Sequence, residues 1–412
     1  MTATTPPRHA PITALSVKDG ELLIGNIPIS KLALRVGQTP FYAYDRNAIS
    51  QRVMELRKYM PPKLKIHYAM KANPMPAVVH HMARLVDGFD LASANEMKVA
   101  LDTGMESRNI SFAGPGKRPH ELQQAIAAEV TLNVESVHEL NTIAKICEQI
   151  GVNAKVALRI NPAFELKASG MKMGGGAKQF GIDEELIPSV LKQVKNLGLE
   201  FQGFHIYSGS QNLKAASIID AQQKSLNLAI RLAEYCPSPI LKLNIGGGFG
   251  IPYFPGDTNL DLEEIGVALS QELETTEKQL PETEFIVELG RFLIGEAGVY
   301  VTQVIDKKQS RDQVFLIVDG GLHHHLAASG NFGQVIRKNY PVSIGNKMNG
   351  PNPETVNIVG PLCTPLDILA DKVDLPKADI GDLVVVYQSG AYGLTASPNG
   401  FLSQPRAEEV LV

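Results

Sequence analysis

The sequence predicts an α/β protein, with a (β/α)₈ barrel followed by an all-β domain. From Leu64 onward, short apolar runs alternate with helical stretches, which indicates a parallel sheet. About eight such units fall within roughly 250 residues, the number that closes a barrel. After Arg291 the helical stretches largely stop while strand-like runs continue, which indicates a second domain built from strands.

The barrel elements follow one another in a regular order. An open doubly wound sheet is the alternative, but it usually carries a glycine fingerprint after its first strand, where this chain has Lys71. We predict barrel strands at Leu64–Ala69, Gly88–Ala92, Asn109–Ala113, Thr131–Glu135, Lys155–Ile160, Phe201–Tyr207, Leu241–Ile245 and Phe285–Glu288. Helices are predicted between them, at Ala77–Val86, Pro119–Ala127, Ser136–Ile150, Glu185–Leu197 and Ala215–Tyr235.

The β domain is predicted from later strand-like runs at Gly298–Ile305, Gln313–Val318, Val356–Val359 and Asp382–Tyr387. Two runs near the start of the chain, Glu21–Ile24 and Phe41–Tyr44, are expected to add a strand to it. The predicted domains are an N-terminal segment at 1–40 that joins the β domain, the barrel at 41–292, and the C-terminal β domain at 293–412.

Composition excludes several classes of protein. The 412 residues are 44% hydrophobic and 20% charged, as in ordinary globular proteins. A net charge of -4 leaves no basic excess to neutralise phosphates, so we expect no nucleic-acid partner. Without a long apolar run we expect no membrane association. Three cysteines make no disulfide framework, which indicates a reducing, cytoplasmic location.

Lys71 is the most informative residue, because it directly follows the first predicted barrel strand. Barrel enzymes place their chemistry at the C-terminal ends of the strands. A lysine held partly dry there loses its charge more easily and can form a Schiff base. The alternative is an ordinary surface lysine between a strand and a helix.

Two further features stand at the ends of the last strands. The run Gly246–Gly250 can wrap an anion with its backbone N–H groups, and the loops after strands seven and eight of a barrel often bind phosphate. Arg291 follows strand eight and favours that reading over a simple tight turn. Glu288 could keep a pyridine nitrogen protonated, although a structural salt bridge is the alternative. A lysine, a phosphate site and this carboxylate together indicate pyridoxal 5'-phosphate (PLP).

With these motifs the chain resembles the alanine-racemase-fold (fold type III) PLP decarboxylases, the group of diaminopimelate and ornithine decarboxylases. The resemblance covers about Phe41 to Val412. Its motifs are Tyr68-Ala69-Met70-Lys71-Ala72-Asn73, Gly88-Phe89-Asp90, Gly209-Ser210, Gly246-Gly247-Gly248-Phe249, Glu288-Leu289-Gly290-Arg291, Gly360-Pro361-Leu362-Cys363 and Gly390-Ala391-Tyr392-Gly393.

The resemblance implies a role for each matched residue. Lys71 holds PLP as an internal aldimine, and Cys363 protonates the product carbon after CO₂ leaves. Cys363 acts in the partner subunit's site, so a homodimer with shared active sites is implied. The implied cofactor-binding residues are Lys71, Asp90, Tyr207, Ser210, Gly247, Gly248, Glu288, Gly290, Arg291 and Tyr392.

The departures from the family concern the substrate. Where diamino-acid decarboxylases have an acid after the cysteine, this chain has Thr364, which cannot pair with a distal amine. Their Arg-Pro-x-x-Tyr clamp for a distal carboxylate is replaced by a run containing His323, His324 and His325. Consecutive histidines on a strand face opposite ways, so we expect no metal site and instead a pocket or dimer contact. Thr364, Asp367 and His324 are the candidate substrate-binding residues.

The resulting hypothesis is a PLP-dependent decarboxylase of a free or carrier-bound amino acid. The runs after Leu322 and after Cys363 resemble a branch associated with exopolysaccharide clusters and with decarboxylases of carrier-bound amino acids. Two alternatives stay open: a diaminopimelate decarboxylase with an altered pocket, and a non-catalytic regulatory homologue. Retention of Lys71, Glu288, Arg291 and Cys363 argues against the second.

Overall fold

The computed structural model describes residues 7–165, 170–334 and 336–412, and the chain divides into two compact units. The barrel unit comprises Val53–Ile251 and Leu260–Phe292. The β unit comprises Met1–Arg52, Pro252–Asn259 and Leu293–Val412.

The N-terminal part of the β unit begins with a small antiparallel sheet. Helix α1 then ends at Gly37, whose φ of 90° suits a glycine after a helix. The elements are β1 (Ser16–Lys18), β2 (Glu21–Ile24), β3 (Ile27–Pro28), α1 (Ile29–Val36), β4 (Phe41–Tyr44) and α2 (Arg46–Tyr59).

The strands of the barrel unit are β5 (Lys65–Ala69), β6 (Gly88–Leu91), β7 (Ile110–Phe112), β8 (Thr131–Val134), β9 (Lys155–Asn161), β10 (Met171–Lys172), β11 (Ile182–Asp183), β12 (Glu200–Ile206), β13 (Gly209–Ser210), β14 (Lys242–Gly247) and β15 (Glu284–Leu289). Its helices are α3 (Pro76–Met82), α4 (Ala94–Asp102), α5 (Pro119–Ala127), α6 (Val137–Ile150), α7 (Ile187–Asn196), α8 (Ala215–Leu232), α9 (Leu262–Gln279) and α10 (Arg291–Ile294).

The predicted barrel is confirmed, strand for strand. The parallel order β5-β6-β7-β8-β9-β12-β14-β15 closes because β15 also pairs with β5. Strands β6 and β8 are buried at every residue, as expected for a parallel sheet covered on both faces. Ser93, Ser136 and Asp261 cap the helices α4, α6 and α9 by accepting a backbone N–H three residues on.

The β unit continues with β16 (Gly298–Ser310), β17 (Gln313–Val318), β18 (Val342–Ile344), β19 (Pro353–Val359), β20 (Ile368–Pro376), β21 (Leu383–Val386) and β22 (Glu408–Leu411). Strand β4 pairs with β16 and β22, so the run Phe41–Tyr44 does add a strand to the β domain, as predicted. The core beneath this sheet is apolar and includes Ile24, Leu32, Phe41, Val301 and Val385. Across the described part of the chain, every helix is too short or too polar to cross a bilayer.

Candidate active site

Lys71 lies at the C-terminal end of β5, on a single turn of 3₁₀ helix that spans Met70–Ala72. The Tyr68 hydroxyl donates a hydrogen bond of 2.9 Å to the carbonyl of Asn73 and braces this turn. The Lys71 side chain is 39% exposed. Its Nζ lies 3.6 Å from Oε1 of Glu288 and 5.2 Å from the centre of the Tyr207 ring.

Glu288 is buried near the end of β15 and is shared by two cationic or hydrogen-bonding partners. His205, on β12, places its Nε2 3.0 Å from Oε2 of Glu288. Burial by itself raises the pKa of the Glu288 carboxyl. The charge of Lys71, the hydrogen bond with His205 and the more distant Arg159 outweigh burial and hold the pKa below its ordinary value. The carboxylate is therefore ionised at neutral pH.

His205 lies near the end of the predicted strand Phe201–Tyr207, and the sequence analysis gave it no role. It lies two positions before Tyr207, and the two rings meet edge to face with centroids 6.4 Å apart. Alternation along a strand places residues two apart on the same side, and that signal could have associated the two. Lys71, Glu288, His205 and Tyr207 thus gather at one end of the barrel.

The glycine run Gly246–Gly250 begins in the last two residues of β14 and forms a tight loop against the neighbouring strands. Gly246 and Gly248 have φ values of 72° and 78°, which favour glycine. A Cβ on Gly247 would overlap the carbonyl oxygen of Glu288. The loop after β13 holds this run, because the backbone N–H of Asn212 donates to the Gly248 carbonyl at 2.9 Å.

Ser210 is the last residue of β13, two positions before Asn212. Its hydroxyl is buried and has no hydrogen-bond partner among the described residues. A buried polar group without a partner carries a cost, which a bound anion would remove. Ser210 and the glycine run therefore suit a phosphate.

Asp90, at the C-terminal half of β6, lies in a buried polar network across neighbouring strands. The Ser111 hydroxyl donates to its Oδ1, and Nδ1 of His67 lies 3.4 Å from its Oδ2. Asn133 in turn donates to the Ser111 hydroxyl at 3.0 Å. The network holds the Asp90 carboxylate in one orientation.

A second ion pair of the barrel was not anticipated as a pair. Arg159 donates to Oε1 of Glu135 at 2.9 Å, and both side chains are buried. Burial alone would raise the pKa of Glu135, but the charges of Arg159 and Lys117 lower it. The carboxylate also accepts the backbone N–H groups of Gly114 and Gly181, so this pair ties two loops at the barrel end together.

Of the other predicted site residues, two lie in the barrel unit and five in the β unit. Gly290 and a half-buried Arg291 directly follow β15 in the barrel unit. Tyr392, Cys363, Thr364, Asp367 and His324 belong to the β unit. Cys363 is exposed and Thr364 is half-buried, whereas Asp367 is buried with both carboxylate oxygens bonded to backbone N–H groups.

The three consecutive histidines do not lie on a strand, so the strand-based argument about them was wrong. Leu322–His324 form a turn, because the N–H groups of His324 and His325 both donate to the carbonyl of Gly321 at 3.0 Å. No group of three or more metal-ligating side chains occurs in the described ranges. His324 is held by the Pro405 carbonyl and the Tyr300 hydroxyl. His323 is buried, and neither of its ring nitrogens has a hydrogen-bond partner among those residues.

The chemical groups at the barrel end match those of PLP one for one. The Lys71 amine suits its aldehyde, and the ionised Glu288 suits its ring nitrogen. The Ser210 hydroxyl, which has no hydrogen-bond partner in the described part of the chain, suits its phosphate together with the glycine run. The residues present therefore fit this cofactor.

Comparisons with known proteins agree with the geometry. Residues 46–295 match the family model described as the pyridoxal-dependent decarboxylase, pyridoxal binding domain. An L-glutamyl-[BtrI acyl-carrier protein] decarboxylase from Niallia circulans is 39% identical over 91% of this chain and 89% of its own. Diaminopimelate decarboxylase from Aquifex aeolicus is 33% identical over 97% and 92%.

A solved structure of the same family also has a similar fold. The structure of diaminopimelate decarboxylase from M. jannaschii, in complex with L-lysine, has a TM-score of 0.86 and 26% identity over 97% of this chain and 93% of that chain. The chain belongs to the pyridoxal-dependent decarboxylase family, and it is a PLP-dependent amino-acid decarboxylase.

Proposed function

We propose that this decarboxylase acts on an amino acid whose side-chain carboxyl is linked to a carrier protein, such as a carrier-bound glutamyl group. Decarboxylation needs a free α-amine and a free α-carboxylate, so the link must be at the distal carboxyl. That carboxyl then has no charge. The relative from Niallia circulans is named for an L-glutamyl-[acyl-carrier protein] substrate, which motivates the choice.

The observation that carries this proposal is the lack of charge where the family binds a distal group. Thr364 stands in place of the acid that would pair with a distal amine. The stretch from Asp319 to Gln334 contains no lysine or arginine, and Arg337 just beyond it already donates to the carbonyls of Ser329 and Ile368. Its histidines are neutral at pH 7, because burial lowers the pKa of His323 to about 4 and that of His325 to about 3.

The charge of the distal group should therefore determine which substrate is preferred. A free diamino acid or free glutamate would bring an unpaired charge into this region, and an unpaired buried charge is costly. We expect kcat/KM for a neutral acyl thioester to exceed that for free glutamate by about 100-fold, which corresponds to roughly 3 kcal/mol.

When bound, PLP supplies the electron sink that accepts the electron pair left by departing CO₂. Lys71 would hold the cofactor covalently, and Glu288 would hold its ring nitrogen protonated. The phosphate would be held by Ser210, Gly247, Gly248, Arg291 and Tyr392, and Gly290 would line the cofactor site. The Tyr207 ring would lie against the cofactor, and Asp90 would orient it from β6. Cys363 would donate its thiol proton to the α-carbon after CO₂ has left.

The test is CO₂ release by the PLP-loaded protein from a panel of substrates. The panel contains free diaminopimelate, ornithine, lysine, arginine, glutamate and aspartate, together with γ-glutamyl-S-pantetheine and a γ-glutamyl-loaded carrier protein. Preferred release from the two thioesters supports the proposal. Faster turnover of free diaminopimelate would instead assign the second candidate, which the Aquifex aeolicus relative favours.

Lys71→Ala is the control for the chemistry. It should abolish both the yellow colour of the bound cofactor and CO₂ release, while the fold is retained. A yellow wild-type protein that releases CO₂ from no member of the panel would contradict the substrate proposal.

The proposed assembly is a homodimer in which Cys363 serves the active site of the partner subunit. Lys71→Ala alone should form no amine and Cys363→Ala alone should form little, but the two variants should complement each other in amine formation when mixed. Random mixing makes half of the dimers hybrid, with one intact site in two, so about a quarter of wild-type activity should return. No recovery after subunit exchange would contradict a shared site.

A further inference from the structure

The carboxylate of Asp367 joins two separate segments of the β unit. The residue is only 2% exposed. Its Oδ1 accepts the backbone N–H of Leu322 at 2.6 Å, and its Oδ2 accepts the backbone N–H of Leu362 at 2.9 Å. Hydrogen bonds to an ionised acceptor are stronger than neutral ones, so the carboxylate holds the two segments at a defined separation.

The first segment is anchored to the long strand β16. The hydroxyl of Thr302 donates to Oδ1 of Asp319 at 2.6 Å and accepts the N–H of Gly320 at 3.0 Å. The N–H of Gln303 donates to the same Asp319 oxygen at 2.9 Å. Leu322 therefore follows a stretch that is fixed to the sheet, and it provides a rigid reference point.

The second segment is the loop of residues 360–367, which carries Cys363. The N–H of Gly360 donates to the carbonyl of Asp367 at 3.0 Å and closes the loop at its base. Within it, the N–H of Thr364 donates to the carbonyl of Leu362 at 2.8 Å, and that of Asp367 donates to Thr364 at 3.2 Å. The exposed Cys363 thus lies next to Leu362, one of the two residues that the Asp367 side chain binds.

Two glycines make room for this carboxylate. A Cβ on Gly321 would overlap Oδ1 of Asp367, and a Cβ on Gly360 would overlap Oδ2. Both segments therefore approach the carboxylate as closely as backbone permits. This accounts for glycine at two places in the sequence, in Asp319-Gly320-Gly321 and in Gly360-Pro361-Leu362-Cys363, for which no cofactor role is needed.

We propose that Asp367 is the positioning residue for Cys363: it fixes the loop of the proton donor to the anchored segment at Leu322. The inference rests on the proposed role of Cys363 as the proton donor. It also gives Asp367 a role other than substrate binding, because backbone N–H groups occupy both carboxylate oxygens.

The geometry makes Asp367→Asn a sharp test. Asparagine has nearly the same volume, but its Nδ2 cannot accept a hydrogen bond. One of the two backbone N–H groups, at Leu322 or Leu362, must then lose its acceptor. Asp312→Asn, at an exposed turn of the same unit, is the matched control for loss of one carboxylate.

The first measurement needs no substrate. In hydrogen–deuterium exchange of the PLP-loaded protein, Asp367→Asn should exchange about tenfold faster than wild type in peptides covering 320–325 and 360–367. The rest of the β unit and the Asp312→Asn control should be unchanged. Unaltered exchange at both segments would overturn the proposed attachment.

The second measurement separates positioning from simple loss of structure. If the proton is added to the former aldehyde carbon of PLP instead of the α-carbon of the substrate, the normal amine does not form. One amino acid and one PLP then give one aldehyde, one CO₂ and one pyridoxamine 5'-phosphate. The ratio of this product to the normal amine is measured with whichever panel member releases CO₂. We expect the ratio to rise at least tenfold in Asp367→Asn and in Cys363→Ala, and to stay constant in Asp312→Asn.

The variants also separate the proton-donor role of Cys363 from the positioning role of Asp367. An unchanged ratio in Cys363→Ala would contradict the proposed proton donor. A raised ratio in Cys363→Ala with an unchanged ratio in Asp367→Asn would leave the proton donor in place and overturn the positioning role of Asp367.

Discussion

The amine of Lys71 lies 3.6 Å from the carboxylate of Glu288, and the other oxygen of that carboxylate lies 3.0 Å from His205. One buried acid therefore faces both the amine that we propose carries the cofactor and a ring that holds the acid in place. The positive charge of Lys71 keeps Glu288 ionised in spite of its burial. This is the protonation state that a partner for a pyridine nitrogen requires.

Replacing Glu288 by glutamine should remove this function while conserving shape. The amide cannot hold a ring nitrogen protonated, and we expect kcat to fall by about 100-fold. Steady-state CO₂ release measures the change. Glu284→Gln, at the opposite end of the same strand, is the control and should keep wild-type kcat. Equal rates for the two variants would contradict the proposed role of Glu288.

Ser210→Ala should weaken cofactor binding without destabilising the protein free of PLP. The hydroxyl has no partner among the described residues, so its removal breaks no described hydrogen bond. A hydrogen bond to a charged group contributes about 1.5 kcal/mol or more, so the Kd for PLP should rise at least about tenfold. Titration of the PLP-free protein measures this Kd. Ser225→Ala removes another buried serine, bonded within α8 to Ala221, and should leave the Kd unchanged.

Thr364→Asp should shift substrate preference toward diamino acids. An acid at this position can pair with a distal amine, and it adds an unpaired charge against a neutral thioester. We expect kcat/KM for lysine or ornithine to rise and that for γ-glutamyl-S-pantetheine to fall, each by about tenfold or more. Ser310→Asp, at the exposed end of β16, adds the same charge elsewhere. Parallel changes in the two variants would contradict a local role for residue 364.

His325 should make the protein sensitive to mild acid. Its Nδ1 accepts the N–H of Ala328 and its Nε2 donates to the Ser389 hydroxyl, so the folded protein binds the neutral ring. Burial lowers the pKa of His325 from 6.5 to about 3. The unfolded chain therefore binds more protons in this window. The stabilisation is present above pH 6.5 and declines as pH falls from 6.5 toward 3.

Thermal unfolding of wild type and His325→Gln at pH 7 and pH 5 tests this dependence. The fall in stability between the two pH values should be smaller in the variant by about 2 kcal/mol, whatever its stability at pH 7. Identical pH dependence would show that His325 does not contribute.

The sequence predicted the eight barrel strands and the residues at their C-terminal ends because both depend on local patterns. Apolar runs mark buried strands, and strand ends of a closed barrel meet at one face. The sequence alone therefore placed Lys71 and Glu288 at the same end of the barrel. The bond between His205 and Glu288, 83 residues apart, could not, because it depends on side-chain directions across the closed barrel.

The conformations of the histidine run and of Asp367 were not predicted from the sequence. Short loops lack a repeating pattern, so the turn at Leu322–His324 was mistaken for strand, and Asp367 was read from its place in a motif. By itself the sequence determined the fold class, the cofactor and the family, because periodicity and short motifs carry that information along the chain. The tertiary structure alone decided which atoms meet: that Glu288 bonds His205, and that Asp367 turns inward to bind two backbone N–H groups. Such contacts join residues far apart in the chain, and only the packed fold brings them within hydrogen-bonding distance.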